Sequence, residues 1–240
     1  MTRFLRPVAD LLMPRVCLCC GCKLGPQEEH LCTSCLSDIP LTRYWKLREN
    51  PMSEKFNALI QQTMGENAGY QPYSYAASLF FYRDSYKPVT RALKYHRNFS
   101  AGKFFASMLG RQLRDAALFA DVDLVIPVPL HWTRRLHRGY NQAEIIAKEL
   151  AKVMGTACRT DLLRRTRRTR TQTRLDSAER AKNVGGAFRC TGKCACAGHI
   201  LLVDDVFTTG STAVACEKAL RDRLGGKVRI SVATLACVEK

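Results

Sequence analysis

Residues 200–212, ILLVDDVFTTGST, constrain this chain more than any other stretch. Four consecutive apolar residues, with no polar alternation, fit a strand covered on both faces. Such a strand belongs inside a parallel sheet with helices on each side. It runs into two adjacent carboxylates, Asp204 and Asp205. A turn of Thr208, Thr209, Gly210, Ser211 and Thr212 follows. The pattern predicts a helix over 212–224, stopped by Gly225-Gly226, and then a strand in KVRISVATLACV.

The preceding residues alternate in the same way. AASLFFY (76–82) and VDLVIPV (122–128) read as strands, YKPVTRALKYH and GKFFASMLGRQLRDAALF as helices. In YNQAEIIAKELAKVMG, Ala143, Ile146, Ala147, Leu150, Val153 and Met154 recur at helical spacing, and Gly155 is a natural C-terminal cap. Strand–helix alternation predicts an α/β fold with a parallel sheet. The 240 residues suffice for one such domain and a small module. The expected division is a cysteine-rich module with a leading helix over 1–45, a linker or irregular packing segment over 46–75, and the α/β domain over 76–240.

In open α/β sheets ligands sit beyond the carboxyl ends of the strands. Residues 204–212 are expected there. The turn offers backbone N–H groups, four hydroxyls and a glycine, and the start of the helix adds positive potential. That combination suits a phosphate. Asp204 and Asp205 repel a phosphate but accept hydrogen bonds from vicinal hydroxyls. A ribose 5′-phosphate has both features. Taken singly, the turn is a common helix cap, and a double aspartate is often solvated or binds magnesium. The combination is much rarer. A Walker loop is excluded, because its lysine and glycine spacing are missing.

The formal charge of +17 favours polyanionic ligands. Basic residues gather in two places. After the 122–128 strand come Arg134, Arg135 and Arg138, with His131, His137 and Asn141. Residues 159–182 hold nine Lys/Arg against three acids. Within them RRTRRTRTQTR has no apolar period and reads as a mobile loop. It fits a flap over a ligand, a salt-sensitive nucleic-acid contact through Arg167, Arg168 and Arg170, or a solvated charge run. The run has no aromatic residue, so base stacking there is unsupported.

Of twelve cysteines, six fall within residues 17–35. No stretch reaches about 18 apolar residues, and the start lacks the apolar core of an export signal. The expected location is the cytoplasm, where thiols serve as metal ligands or small buried hydrophobes. Cys32 and Cys35 form one Cys-x-x-Cys pair, and the other is Cys17 with Cys20 or Cys19 with Cys22. Two such pairs fit a tetrahedral structural zinc, and the segment is too poor in core residues to fold without one. Cys190, Cys194 and Cys196 have no nearby fourth ligand and read as a turn between short strands. His30, His96 and His199 read as packed or incidental.

LLVDDVFTTGST resembles the 5-phosphoribosyl 1-pyrophosphate (PRPP) signature of type I phosphoribosyltransferases. RALKYH (91–96), PVPLHWTRRLHRGYNQAEIIAKEL (127–150) and RTRTQTRLDSAERAKNVGGAF (168–188) narrow the resemblance to the ComF family, the competence-protein branch. It implies a phosphoribosyltransferase-like sheet flanked by helices, with an N-terminal zinc module. It implies that Asp204 and Asp205 bind the ribose hydroxyls and that Thr208, Thr209, Gly210, Ser211 and Thr212 hold the 5′-phosphate. Arg134 and Arg138 would meet the pyrophosphate, and magnesium would be held mainly by substrate and water. Gln172, Arg180, Asn183 and Gly186 also match the family pattern. The resemblance favours Cys17 and Cys20 beside Cys32 and Cys35, leaving Cys19 and Cys22 as spares.

The implied role is in natural transformation, with single-stranded DNA and a helicase-like translocase as partners. The alternative is an active phosphoribosyltransferase in nucleotide metabolism with no DNA role. For that reaction the catalytic candidates are Asp204, Asp205 and Arg138, but no residue set identifies the acceptor.

Overall fold

The computed structural model describes residues 14–64, 71–130, 136, 138–166, 186–192 and 197–239. The strands are β1 (Ala76–Phe81), β2 (Leu124–Pro127), β3 (Ala157–Cys158), β4 (Leu163–Arg165), β5 (Phe188–Cys190), β6 (His199–Phe207) and β7 (Arg229–Cys237). Five of them form one parallel sheet in the order β1-β7-β6-β2-β3, and β4 pairs with β5 antiparallel. The described α-helices are α1 (Thr33–Ser37), α2 (Pro51–Met64), α3 (Lys87–Tyr95), α4 (Phe99–Arg114), α5 (Gln142–Met154) and α6 (Ser211–Leu224).

The sheet is covered on both sides, as the all-apolar run in β6 requires. Leu201 and Val203 pack towards Phe105 and Leu109 of α4 and Ile146 and Leu150 of α5. Ile200 and Leu202 pack on the other face, towards Phe56 of α2 and Val214 and Leu220 of α6. All four of these β6 side chains are completely buried. The expected parallel sheet flanked by helices is the observed fold.

β6 continues past Val203 to Phe207, where Val206 and Phe207 still pair with Ala236 and Cys237 of β7. Both aspartates therefore lie inside the strand, because backbone pairing is indifferent to side-chain charge. The helix expected to reach residue 119 ends at Arg114, and Ala117–Phe119 is a separate 3-10 turn. Gly155 caps α5 as expected, in the left-handed conformation at φ +71°.

The segment expected as linker or irregular packing holds α2, which corrects that reading. Met52, Phe56 and Ile60 are its buried apolar residues, about one per turn, a stripe that is faint in the sequence among many polar neighbours. Asn50 starts the helix, accepting from the N–H of Met52 at 3.1 Å and of Ser53 at 3.0 Å. Its amide donates to Ala76 O at 3.1 Å, which fixes α2 to β1.

The cysteine-rich segment shares the main core. Leu24, Leu31, Ile39 and Trp45 are buried in one cluster with Leu79 of β1 and Phe105 of α4. The Tyr86 hydroxyl donates to Cys35 O at 2.8 Å. Residues 40–42 run along β1, with Phe81 N–H donating to Pro40 O and Thr42 N–H to Leu79 O. They cover part of the sheet edge, which would otherwise offer unpaired backbone groups.

Candidate functional site

From β2 the chain passes through α5 to β3, on one side of the sheet. From β6 it passes through α6 to β7, on the other. Because β2 and β6 are neighbours, strand order reverses between them. A crevice opens at their carboxyl ends, the preferred ligand position in open α/β sheets.

The loop after β6 is held by α2. Gly210 has φ +83°, and a Cβ there would lie 2.8 Å from Leu59 Cδ1 and 2.9 Å from Phe207 Cζ. The backbone conformation favours glycine, and any Cβ would force Leu59 or Phe207 to shift. Lys55 Nζ donates to Thr208 O at 3.0 Å. The Thr209 and Ser211 hydroxyls are 3.0 Å apart. Gly210 is the N-cap of α6 and supplies no side-chain cap. Asp204, Thr208, Thr209, Gly210, Thr212 and Thr234 border a cavity of about 40 Å³. That is far below the roughly 300 Å³ of a drug-sized ligand pocket. A ligand can therefore place only a small group there, with the rest of it outside.

The aspartates diverge, as successive strand side chains do. Asp204 borders the cavity, and its Oδ1 accepts from the Asp205 N–H at 2.8 Å. Asp205 is buried, and its Oδ2 lies 2.7 Å from Lys94 Nζ on α3. Desolvation, and then the charge of Asp205, push the Asp204 carboxyl well above its ordinary range. Burial opposes the Lys94 charge, but Asp205 and, further off, Asp204 hold that ammonium above its usual value. Lys94 is the residue at this strand end that sequence reasoning missed. RALKYH placed it on a helix but gave no hint that its partner stands on β6.

Arg138 precedes α5. Its Nη1 donates to Gln142 Oε1 at 3.1 Å, and its guanidinium lies 5.3 Å from the Tyr95 ring centroid, beyond Lys94 on α3. Arg134, Arg135, His131 and His137 lie outside the described residues, as do Arg167, Arg168, Arg170, Gln172, Arg180, Asn183, Cys194 and Cys196. Cys190 lies on β5 opposite Leu163, packs at the edge of the core and donates to Gly192 O at 3.7 Å. His199 is packed, as expected, between Asp121 and Ser231.

The cysteine cluster has a shape the sequence left open. The sulfurs of Cys17, Cys20, Cys22 and Cys32 all lie within 4.8 Å of one another. Four thiols so close can hold a tetrahedral metal such as zinc. Cys22, expected as a spare, joins this set. Gly21 turns the chain at φ +74°, and Cys17 N–H donates to Cys22 O at 2.8 Å, folding Cys22 back onto the group. Cys35, expected as the fourth ligand, stands beside it and remains in contact with Cys20. The Cys22 backbone N–H bonds to Cys20 and, with further thiol contacts, holds its thiol down to about 6. That favours the thiolate a metal needs.

No family model matches the chain. Competence protein F of Haemophilus influenzae is 31% identical over 138 residues, 55% of this chain and 60% of that protein. DNA utilization protein YhgH of Escherichia coli K12 is 32% identical over 146 residues, 56% of this chain and 62% of that protein. YhgH of Salmonella typhimurium is 32% identical over 143 residues, with the same coverage. The chain thus spans about 60% of the length of these curated relatives. Among solved structures, a glutamine PRPP amidotransferase from B. subtilis, complexed with ADP and GMP, is a distant likeness. It has a TM-score of 0.39 and 18% identity, covering 60% of this chain and 30% of that one. The resemblance read from the sequence is borne out by the curated relatives: over the matched residues this chain is similar to competence protein F and the YhgH proteins.

Proposed function

We propose that this chain binds PRPP, or a related phosphoribosyl ligand, with magnesium, and serves in DNA uptake. The observation that carries the reading is the Gly210 loop, pinned by Leu59 and Lys55 at the reversal of strand order. Thr208, Thr209, Gly210, Ser211 and Thr212 take the 5′-phosphate on backbone N–H groups and hydroxyls, at the positive end of α6. Asp204 accepts from the ribose hydroxyls, and Asp205 sets the end of β6 through Lys94. The pyrophosphate is assigned to Arg138 and Arg134, which suits the planar fork of arginine. Magnesium travels with the ligand. A structural zinc sits among Cys17, Cys20, Cys22 and Cys32.

The DNA role draws support from the names of the relatives and from the +17 charge. Single-stranded DNA and a helicase-like translocase are the proposed partners. The test is calorimetric titration of PRPP with magnesium into wild type and the Asp204→Asn/Asp205→Asn variant. Micromolar binding that disappears in the variant is expected. Absence of binding to folded, zinc-loaded wild type would sink the ligand assignment.

A further inference from the structure

A second cleft, of about 400 Å³, lies between residues 41–46 and α4 and shares no bordering residue with the Gly210 cavity. Its apolar lining is Leu41, Trp45, Leu79 and Met108. Its polar border is cationic: Arg43, Lys46 and Arg111, without a carboxylate. No hydrogen bond or ion pair engages the side chains of Arg43 and Lys46 among the described residues.

Two further features mark the cleft as more than a packing fault. Trp45 is 3% exposed, and its Nε1–H has no acceptor. Leaving a buried donor unpaired is destabilising, so each such group needs a reason. Arg43 has φ +58°, a conformation that costs a non-glycine residue and recurs at ligand sites. It lifts a cation to the cleft just before the turn that buries Trp45.

We infer that this cleft binds one nucleotide of a single-stranded DNA. The volume suits a nucleotide, since small-ligand pockets run from roughly 300 to 1,000 Å³. The base enters against Met108 and Leu79, beside Trp45. The phosphate meets Arg43, Lys46 and Arg111. A duplex cannot fill such a cleft, because its bases are paired and stacked. The inference rests on the DNA side of the reading above and is independent of the phosphoribosyl site.

The test reads Trp45 emission in a Trp132→Phe protein, which leaves Trp45 as its one tryptophan. The probes are a short oligothymidylate, thymidine monophosphate and inorganic pyrophosphate at matched ionic strength. A saturable change with oligothymidylate is expected, with weaker binding of the mononucleotide and no response to pyrophosphate. Lys46→Glu/Arg111→Glu should weaken oligothymidylate binding by roughly tenfold or more and shrink its salt slope by about 1.4, or about 0.7 per lost contact. If that variant fails to fold, Arg43→Gly removes a cation while suiting the positive φ, and should also weaken binding.

The Asp204→Asn/Asp205→Asn variant should keep the full response, so failure of the phosphoribosyl site and failure of this one are distinguishable. An unchanged emission, equal binding by the charge variants, or an equal response to pyrophosphate overturns the inference. A mononucleotide that binds as tightly as the oligomer also overturns it, and marks a site for free nucleotide.

Discussion

Lys94 Nζ lies 2.7 Å from Asp205 Oδ2, which ties α3 to the carboxyl end of β6. The Asp205 side chain is only 7% exposed, so removing the lysine leaves a buried carboxylate without its cation. Lys94→Ala should cost about 3 kcal/mol, read by urea denaturation. Adding Asp205→Asn should recover much of that loss. Simple additivity in the double-mutant cycle would show that the pair is not coupled.

Asp204→Asn should stabilise the free protein while weakening the phosphoribosyl ligand. Folding raises the Asp204 pKa, so the native state binds its proton more tightly than the unfolded chain. Stability is therefore lost as pH rises through the folded value. Asparagine removes the charge and can still accept from the Asp205 N–H. A gain of roughly 0.5–2 kcal/mol at pH 7, vanishing below about pH 4, is expected in thermal melts. A loss of stability at pH 7 would refute this.

Gly210→Ala combines a strained positive φ with contacts of 2.8 and 2.9 Å. A cost of about 1–3 kcal/mol should accompany the loss of ligand affinity. Leu59→Ala relieves the Leu59 contact but neither the Phe207 contact nor the backbone strain, so rescue should be incomplete. Full rescue would assign the whole effect to crowding.

Zinc analysis should find one metal per chain, with chelation lowering the melting temperature. Cys17→Ser, Cys20→Ser and Cys32→Ser should each lose it. Cys22→Ser should lower zinc affinity more than Cys35→Ser, because the Cys22 sulfur stands with the close group of four. The reverse ranking would restore Cys35 as the fourth ligand.

His199 bridges Asp121 Oδ1 and Ser231 Oγ, each at 2.7 Å. The chain order resembles a catalytic relay, but Ser231 is completely buried and His199 opens β6, opposite the crevice. This is packing chemistry. Burial lowers the His199 pKa despite Asp121, so its stabilisation is complete above the unfolded value near 6.5 and falls as pH drops through the folded one. His199→Gln should flatten part of that acid slope in denaturant titrations. His30, lowered in the same direction by burial, contributes to what remains. An unchanged slope would remove His199 from the account.

Much of the sheet was legible because strand and helix periods are local properties of the chain. ILLV had to be covered on both faces, Gly155 had to end its helix, and the Gly210 turn had to join β6 to α6. Cysteine spacing likewise pointed to a metal before any contact was known. The faint 52/56/60 stripe hid α2, and with it the Leu59 and Lys55 contacts that fix the loop.

The sequence by itself determined the strand that runs into two carboxylates, the loop after it and the cluster of thiols. The tertiary structure alone decided that Asp205 meets Lys94 while Asp204 borders the cavity, that Cys22 joins the thiol group, and that Trp45 edges a cationic cleft. Periodicity and spacing act within a few residues. These pairings depend on which strands lie side by side after the crossovers, and on which helix each face then meets.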